Sequence, residues 1–327
     1  MKSKIKLLVL TNMYPSGSHQ KGVFVKELVE CVILDQRIDQ VSVFNIDEVR
    51  SSFLKYILSV FSLFYALKRQ KVDVINVHYG LSFVPLFFLL PYIWFNRIKV
   101  VSTFHGSDLM GIKLVNIISN LAIFFSNQSI IVSKCMIDYI WTFQRNDVRV
   151  VSCGVDAIFK YVDRPKWDRC HKLTVIFPSS PSRPEKNYHL FRDVVERLML
   201  KRVDVEEICF ENLSRIQIFN ALSDANILFL SSLREGSPQV VKEAVLTGLP
   251  VISTDVGDVV DILAGIPEHQ AFISSNPDDI VEWILTNFIG LSIEKSLVDI
   301  KCKKYSNLVL STLFVDILYH TVNFKKC

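Results

Sequence analysis

Ten short apolar runs alternate with helical stretches along the whole chain. In order they are "KLLVLT", "VSVFNI", "VDVINVH", "KVVSTFH", "QSIIVS", "VRVVS", "LTVIFPS", "EEICF", "ILFLSS" and "LPVIS". A strand that is apolar on both faces must be covered on both faces. Such runs, alternating with helices, therefore predict parallel sheets sandwiched between helical layers. The stretch "DAIFKYVDRPKWDRCHK", residues 156–172, breaks the rhythm with charges and a proline, and reads as a linker. A chain of 327 residues is about two domains long. The expected division is an α/β domain over residues 1–160 and another over 161–305. A C-terminal helix, about 306–327, is expected to pack back on the first.

Half of the residues are hydrophobic and the mean hydropathy is +0.30, so a bilayer span has to be considered. The most apolar run, "LSFVPLFFLLPYIWF" at residues 81–95, falls short of the roughly 20 residues a span needs, and Pro85 and Pro91 interrupt it. It reads as a buried segment between strands. The N-terminal "MKSKIKLLVLTNMYP" lacks a signal-peptide core and reads as a first buried strand. The seven cysteines form no C-x-x-C pair and suit neither zinc nor a disulfide framework. A cytoplasmic protein is expected.

Charge is uneven. Residues 1–160 carry 18 Lys and Arg against 11 Asp and Glu, whereas residues 161–327 carry 19 against 22. A basic first half suits an anionic lipid surface or a phosphorylated acceptor, or it is simply a scattered, solvated surface. No dense basic cluster or nucleic-acid motif is present, so no nucleic-acid partner is expected.

The densest chemical signal is "REGSPQVVKEAVLTGLPVIS", residues 234–253. Ser237 suits an N-cap, Pro238 a first helical position and Gly248 a C-terminal cap, which predicts a helix over 238–247. The first N–H groups, at Gln239 and Val240, would leave the C-terminal edge of a parallel sheet, where open α/β sheets bind ligands. Unpaired N–H groups and the helix dipole favour an anion there by about 0.3–1 kcal/mol. Glu243 lies one and a half turns inside, on the face of Gln239, and could accept two hydrogen bonds from a vicinal diol such as a ribose. Glu235, in the loop, would sit beyond the phosphate. An acid at each end of an anion cradle has the polarity of a sugar nucleotide. A capped helix with two exposed acids is the bland alternative. The first strand leads into "NMYPSGSHQKGVFVKELVE", a loop and a helix starting near Gly22. It too could hold a phosphate, although it is not the G-x-G-x-x-G of a dinucleotide site.

"EGSPQVVKEAVLTGLPVISTDVGD" resembles the signature of the retaining family-4 (group 1) glycosyltransferases, with Glu235 and Glu243 as its two glutamates, separated by seven residues. The resemblance implies a GT-B fold, two Rossmann-like domains facing a central cleft. It implies that Glu243 binds the nucleotide ribose, while Glu235 and the amides after it contact the donor sugar. "FPSSPSRPEKN" is similar to the family's phosphate-binding segment, giving Arg183 and Lys186. "TFHGSDL" is similar to the loop whose histidine faces the donor, giving His105. His78, in "NVHYG", is the second histidine candidate. The Gly22 loop and "VSCGVD" fall in family order as well. Two departures stand out. Pro181 occupies the usual place of the Arg, and the second domain is short by about one strand–helix unit, which bears on the base pocket.

On this reading, Arg183, Lys186 and the start of the 238–247 helix stabilise a leaving diphosphate more strongly than the ground state. No metal and no cofactor is expected, and no nucleophile is assigned. The family implies transfer from a nucleotide sugar to a glycan or lipid-linked acceptor with retention, of the kind used for cell-surface polysaccharides such as O-antigen, capsule or exopolysaccharide. A GT-B sugar-nucleotide epimerase and a non-catalytic binding partner remain as alternatives. Finally, "SSFLKYILSVFSLFYALKRQ", residues 51–70, carries a narrow polar stripe (Ser52, Lys55, Ser59, Ser62, Arg69) on an otherwise apolar helix with basic residues at its end. It is either a helix buried against the sheet or one that lies on the inner face of the cell membrane.

Overall fold

The computed structural model describes residues 4–15, 21–48, 54–272, 275–291 and 293–324. The chain forms two compact units, Met1–Gly154 with Asn307–Cys327, and Val155–Ser306.

In the first unit all six apolar runs are strands. They are β1 (Ile5–Thr11), β2 (Ile38–Asn45), β3 (Val74–His78), β4 (Lys99–Phe104), β5 (Gln128–Ile131) and β6 (Val148–Val150). They form one parallel sheet in the order β2-β1-β3-β4-β5-β6. Side chains alternate across a strand, so the unbroken apolar runs supply two cores. Leu7 and Val9 pack with Val25 and Val29 of α1 (Val23–Val32) and with Phe314, Val315 and Leu318 of the C-terminal helix Asn307–Asn323. Leu8 and Leu10 face the other way, towards Leu63 of α2 (Lys55–Arg69) and Leu86 and Ile93 of α3 (Val84–Phe95). A short α4 (Ser107–Met110) and α5 (Lys113–Phe125) complete that layer. The 81–95 run is thus a 3-10 turn and α3, placed between β3 and β4. No helix among the described residues is long and apolar enough to cross a membrane.

The second unit holds β7 (Leu173–Phe177), β8 (Val205–Cys209), β9 (Ile227–Leu230), β10 (Val251–Thr254) and β11 (Gln270–Phe272), parallel, in the order β11-β10-β9-β7-β8. Its helices are α6 (Tyr188–Leu200), α7 (Arg215–Asp224), α8 (Gln239–Thr247), α9 (Val259–Leu263), α10 (Pro277–Asn287) and α11 (Lys295–Tyr305), and the C-terminal helix is α12. The sheet has one strand fewer than the first and stops at β8, consistent with a shortened domain. The 156–172 stretch belongs to this unit. Phe159 and Trp167 are buried in its two cores. The Arg164 guanidinium donates to the carbonyls of Leu222 (3.2 Å), Ala225 (2.8 Å) and Thr247 (3.0 Å). Burial lowers its pKa to about 10.

The chain order reverses at β1/β3 in the first sheet and at β7/β9 in the second. Those switch points open crevices at the carboxyl ends of the strands, which is where the candidate residues sit.

Candidate active site

The loop after β9 carries Glu235, and the loop after β7 carries Lys186. Lys186 Nζ lies 2.5 Å from Glu235 Oε1, which also accepts from the Ser232 hydroxyl at 2.7 Å. The backbone ties the loops together. Leu233 N–H donates to Glu185 O (2.9 Å), and the Ser231 hydroxyl to Lys186 O (3.1 Å) and Asn187 O (3.0 Å). Asn187, at φ +52°, turns the chain from the Lys186 loop into α6. Side-chain exposure is 14% for Lys186 and 13% for Glu235, so this pair is not a solvated surface bridge.

Glu243 is also buried, facing inward from α8. Its Oε1 accepts from the Arg215 guanidinium at 2.8 Å, and Arg215 stacks over the Phe159 ring at 4.5 Å. The two acids are therefore neither exposed nor alone. Each is held by a cation from another element. Arg215 was not among the sequence candidates. A serine–glutamine capping box at Ser214 and Gln217 starts α7 and places Arg215 at its first position. That box is visible in the sequence as a helix start, but nothing local marks the arginine.

Ser237 does not cap α8. The helix begins at Gln239 with Pro238 at the cap position and no side-chain cap bond. The Ser237 hydroxyl donates instead to Asp258 Oδ2 at 2.8 Å. A half-buried carboxylate needs that donor more than a helix end does, because helix N–H groups can be met by solvent or ligand. Burial raises the Asp258 pKa, and the charge of Lys242 opposes the rise. Gly248 does end α8, at φ +75°. Gly257, at φ +61°, lets the "DVGD" turn lie against the Glu235 loop, since a Cβ there would stand 2.6 Å from Gly236 O. Arg183 is the outlier of the expected set. It is half-exposed and donates to Glu185 Oε1 at 2.9 and 2.6 Å, not to the Lys186–Glu235 pair.

The first unit brings the two candidate histidines together. His78 Nδ1 and His105 Nε2 are 2.9 Å apart, with the rings stacked at 5.2 Å. The register of β1, β3 and β4 sets Thr11, His78 and Thr103 side by side at the strand ends. His78 is wholly buried, and desolvation lowers its pKa to about 3, so it stays neutral. The His105 loop is shaped by Asp108, whose carboxylate accepts the N–H groups of His105 (3.1 Å), Gly106 (2.9 Å) and Leu109 (3.1 Å). Burial raises its pKa to about 6 against those bonds. Tyr79, 4.7 Å from the His105 ring, holds φ +70°, a costly conformation for an aromatic residue of the kind that gathers at functional sites. Gly22 precedes α1 at φ +75°, where a Cβ would meet Met13 O at 2.2 Å. Residues 16–20 of that loop lie outside the described residues.

Among the described residues no group of three or more His, Cys, Asp or Glu is placed to hold a metal ion. A family model for glycosyltransferase family 4 matches residues 16–158, and one for the glycosyl transferases group 1 matches residues 193–287. Sequence comparison with curated proteins finds no match. Three solved structures share the fold over nearly their whole length. Sucrose-phosphate synthase from Thermosynechococcus elongatus gives a TM-score of 0.76 at 12% identity, covering 97% of this chain and 98% of that one. The lipopolysaccharide outer core galactosyltransferase WaaB gives 0.72 at 13%, covering 96% and 99%. HepE from Anabaena, in complex with UDP-glucose, gives 0.69 at 14%, covering 96% and 99%.

Proposed function

Because this chain belongs to the family-4, group 1 glycosyltransferases and has the GT-B fold, we propose that it moves a sugar from a nucleotide-sugar donor to a glycan or lipid-linked acceptor, with retention of configuration, in the synthesis of a cell-surface polysaccharide. The observation that carries this reading is the pair of ion pairs, Lys186–Glu235 and Arg215–Glu243, at the carboxyl edge of one sheet. A diphosphate can take over the cations. The carboxylates so released become acceptors for hydroxyl groups, Glu243 for the ribose and Glu235 for the donor sugar.

As the glycosidic bond breaks, negative charge grows on the leaving phosphate. Lys186 meets it as a point charge and Arg215 through a planar fork. The N–H groups of Gln239 and Val240 add fixed dipoles that need no reorganisation during the step. Arg183 joins only by leaving Glu185. His105 contacts the donor, and the leaving phosphate assists deprotonation of the acceptor, so no metal and no covalent nucleophile enters the step. WaaB acts on lipopolysaccharide and HepE holds UDP-glucose, which favours a surface glycan and makes UDP-sugars the first donors to try.

The test is a panel of UDP- and GDP-sugars read by thermal shift, then by NMR of the product. A ligand at 100 times its Kd adds about 2.7 kcal/mol to stability. Transfer in EDTA with a retained anomer supports the proposal. An inverted product, a C-epimer without transfer, or activity that EDTA abolishes and magnesium restores overturns it.

A further inference from the structure

The first unit turns an apolar, aromatic-rich face with a basic border to the outside, and we propose that this face seats the protein on an anionic lipid bilayer. The inference stands apart from the transfer reaction, so the two can fail separately.

The face is built from two helices. One edge of α2, with Tyr56, Leu63 and Leu67, is buried in the core. The other edge, with Ile57, Leu58, Phe61 and Tyr65, is exposed, Phe61 at 78%. On α3, Phe88, Trp94 and Phe95 are exposed, Phe95 at 88%. The helices touch along a seam where the Phe64 and Tyr92 rings meet edge-on at 5.2 Å and the Tyr92 hydroxyl donates to Leu67 O at 3.4 Å. The exposed edges therefore flank one seam. Single exposed apolar residues need no explanation, whereas a contiguous aromatic patch does.

Charge says what covers it. From residue 49 to residue 107 the only acid is Asp73, against seven Lys and Arg, of which Lys55 at the head of α2 is paired with Asp47. Asp73 is buried and accepts the Lys6 N–H at 2.9 Å. Lys68 lies over the Phe64 ring at 4.7 Å and Arg69 over the Tyr65 ring at 4.1 Å. Their stems cover apolar surface while the charged ends stay at its border. At the foot of the same helices a groove of about 780 Å³ is walled by Lys71, Arg97, Lys99, Tyr92 and Trp94, with Asp73 in its floor turned to the Lys6 N–H. A second copy of this chain would bring the same positive rim against itself. A bilayer with anionic headgroups offers phosphate to the cations and hydrocarbon to the rings. Tyr and Trp are the side chains that settle at that boundary.

The full chain should sediment with vesicles of phosphatidylcholine containing phosphatidylglycerol at low salt and release at high salt, with little binding to phosphatidylcholine alone. Phe61→Ser with Phe95→Ser should weaken partitioning by about tenfold or more, and so should Lys68→Glu with Arg69→Glu. Nucleotide binding and the circular dichroism spectrum should not change in either variant, which separates docking from folding. Absence of binding to the anionic vesicles at low salt overturns the proposal, as does equal binding to neutral vesicles. A dimer in sedimentation velocity that Phe61→Ser abolishes would assign the face to a second copy, and that outcome also overturns it.

Discussion

Glu243 is the more buried of the two acids, and removing one partner of such an ion pair strands the other. The cost of stranding a buried charge is about 3–5 kcal/mol, and less here because Arg215 keeps some contact with solvent. Glu243→Ala should thus lower Tm and also weaken donor binding by about 10- to 150-fold, the range for one hydrogen bond to a charged group. Replacing both partners, Glu243→Met with Arg215→Met, should restore Tm but not affinity. Unchanged donor affinity in calorimetry would remove Glu243 from the site. Lys186→Ala should weaken nucleoside diphosphate far more than nucleoside, whereas Arg183→Ala should do little, since Arg183 is turned to Glu185. Equal losses for the two variants would return Arg183 to the cation set. In the first unit, His78 Nδ1 and His105 Nε2 are 2.9 Å apart, so one ring must donate to the other and the tautomers of neutral His78 and His105 are coupled. His78→Leu should show mixed His105 tautomers by 15N NMR and about tenfold slower transfer; a single unchanged tautomer would refute the coupling. The glutamates, Lys186 and His105 could be named from the sequence because each lies in a short contiguous motif. Arg215 could not, because its partner is 28 residues away and the two meet only through packing.

Elements differ in how plainly they announce themselves. The ten apolar runs are all strands, and those at the centre of each sheet, such as β3, β9 and β10, are buried throughout, whereas β2, β6 and β8 at the sheet edges are only partly covered. β11, three residues reading Gln-Ala-Phe, carries no apolar run and forms only because β10 offers it a partner edge. α8 starts one residue later than its sequence predicts and without a Ser237 cap, since Asp258, which draws the Ser237 hydroxyl away, lies 21 residues downstream. The contact of the Asp255–Asp258 turn with the Glu235 loop leads to a further expectation. Gly257→Ala forces a Cβ into Gly236 O and a side chain into φ +61°, at a cost of about 1–3 kcal/mol. Donor affinity should fall together with Tm; a variant with normal Tm and affinity would show that the turn is free to move. On α2 the polar stripe is split between two faces, with Ser62 and Arg69 exposed on the outer side. Ser59 is buried with its hydroxyl bonded to Lys55 O, and Lys55 pairs with Asp47. Ser52 lies outside the described residues.

Across the whole molecule, buried titratable groups set the response to acid. His78 and His269 are neutral inside, each with its pKa lowered by burial from 6.5 to about 3. Unfolded, they take up protons below pH 6.5, so stability is lost progressively as pH falls from about 6.5 towards 3. Asp108 acts in the opposite sense between its ordinary 3.8 and about 6, but its shift is smaller than either histidine's. Tm should therefore drop through this window, and His269→Asn, which can keep an acceptor for the Val251 N–H, should blunt the drop. A Tm that is flat from pH 6.5 to 4 would show that these histidines are hydrated. What the sequence alone determined was the parallel α/β architecture, the family and the two-glutamate motif, because strand burial and short-range spacing are written in consecutive residues. The cations that hold the glutamates, the pairing of His78 with His105 and the outer face of α3 were decided by tertiary structure. An all-apolar helix such as "VPLFFLLPYIWF" has no periodicity to say which side meets the core, and only the packing of Leu86, Leu89, Leu90 and Ile93 against the sheet leaves Phe88, Trp94 and Phe95 outside.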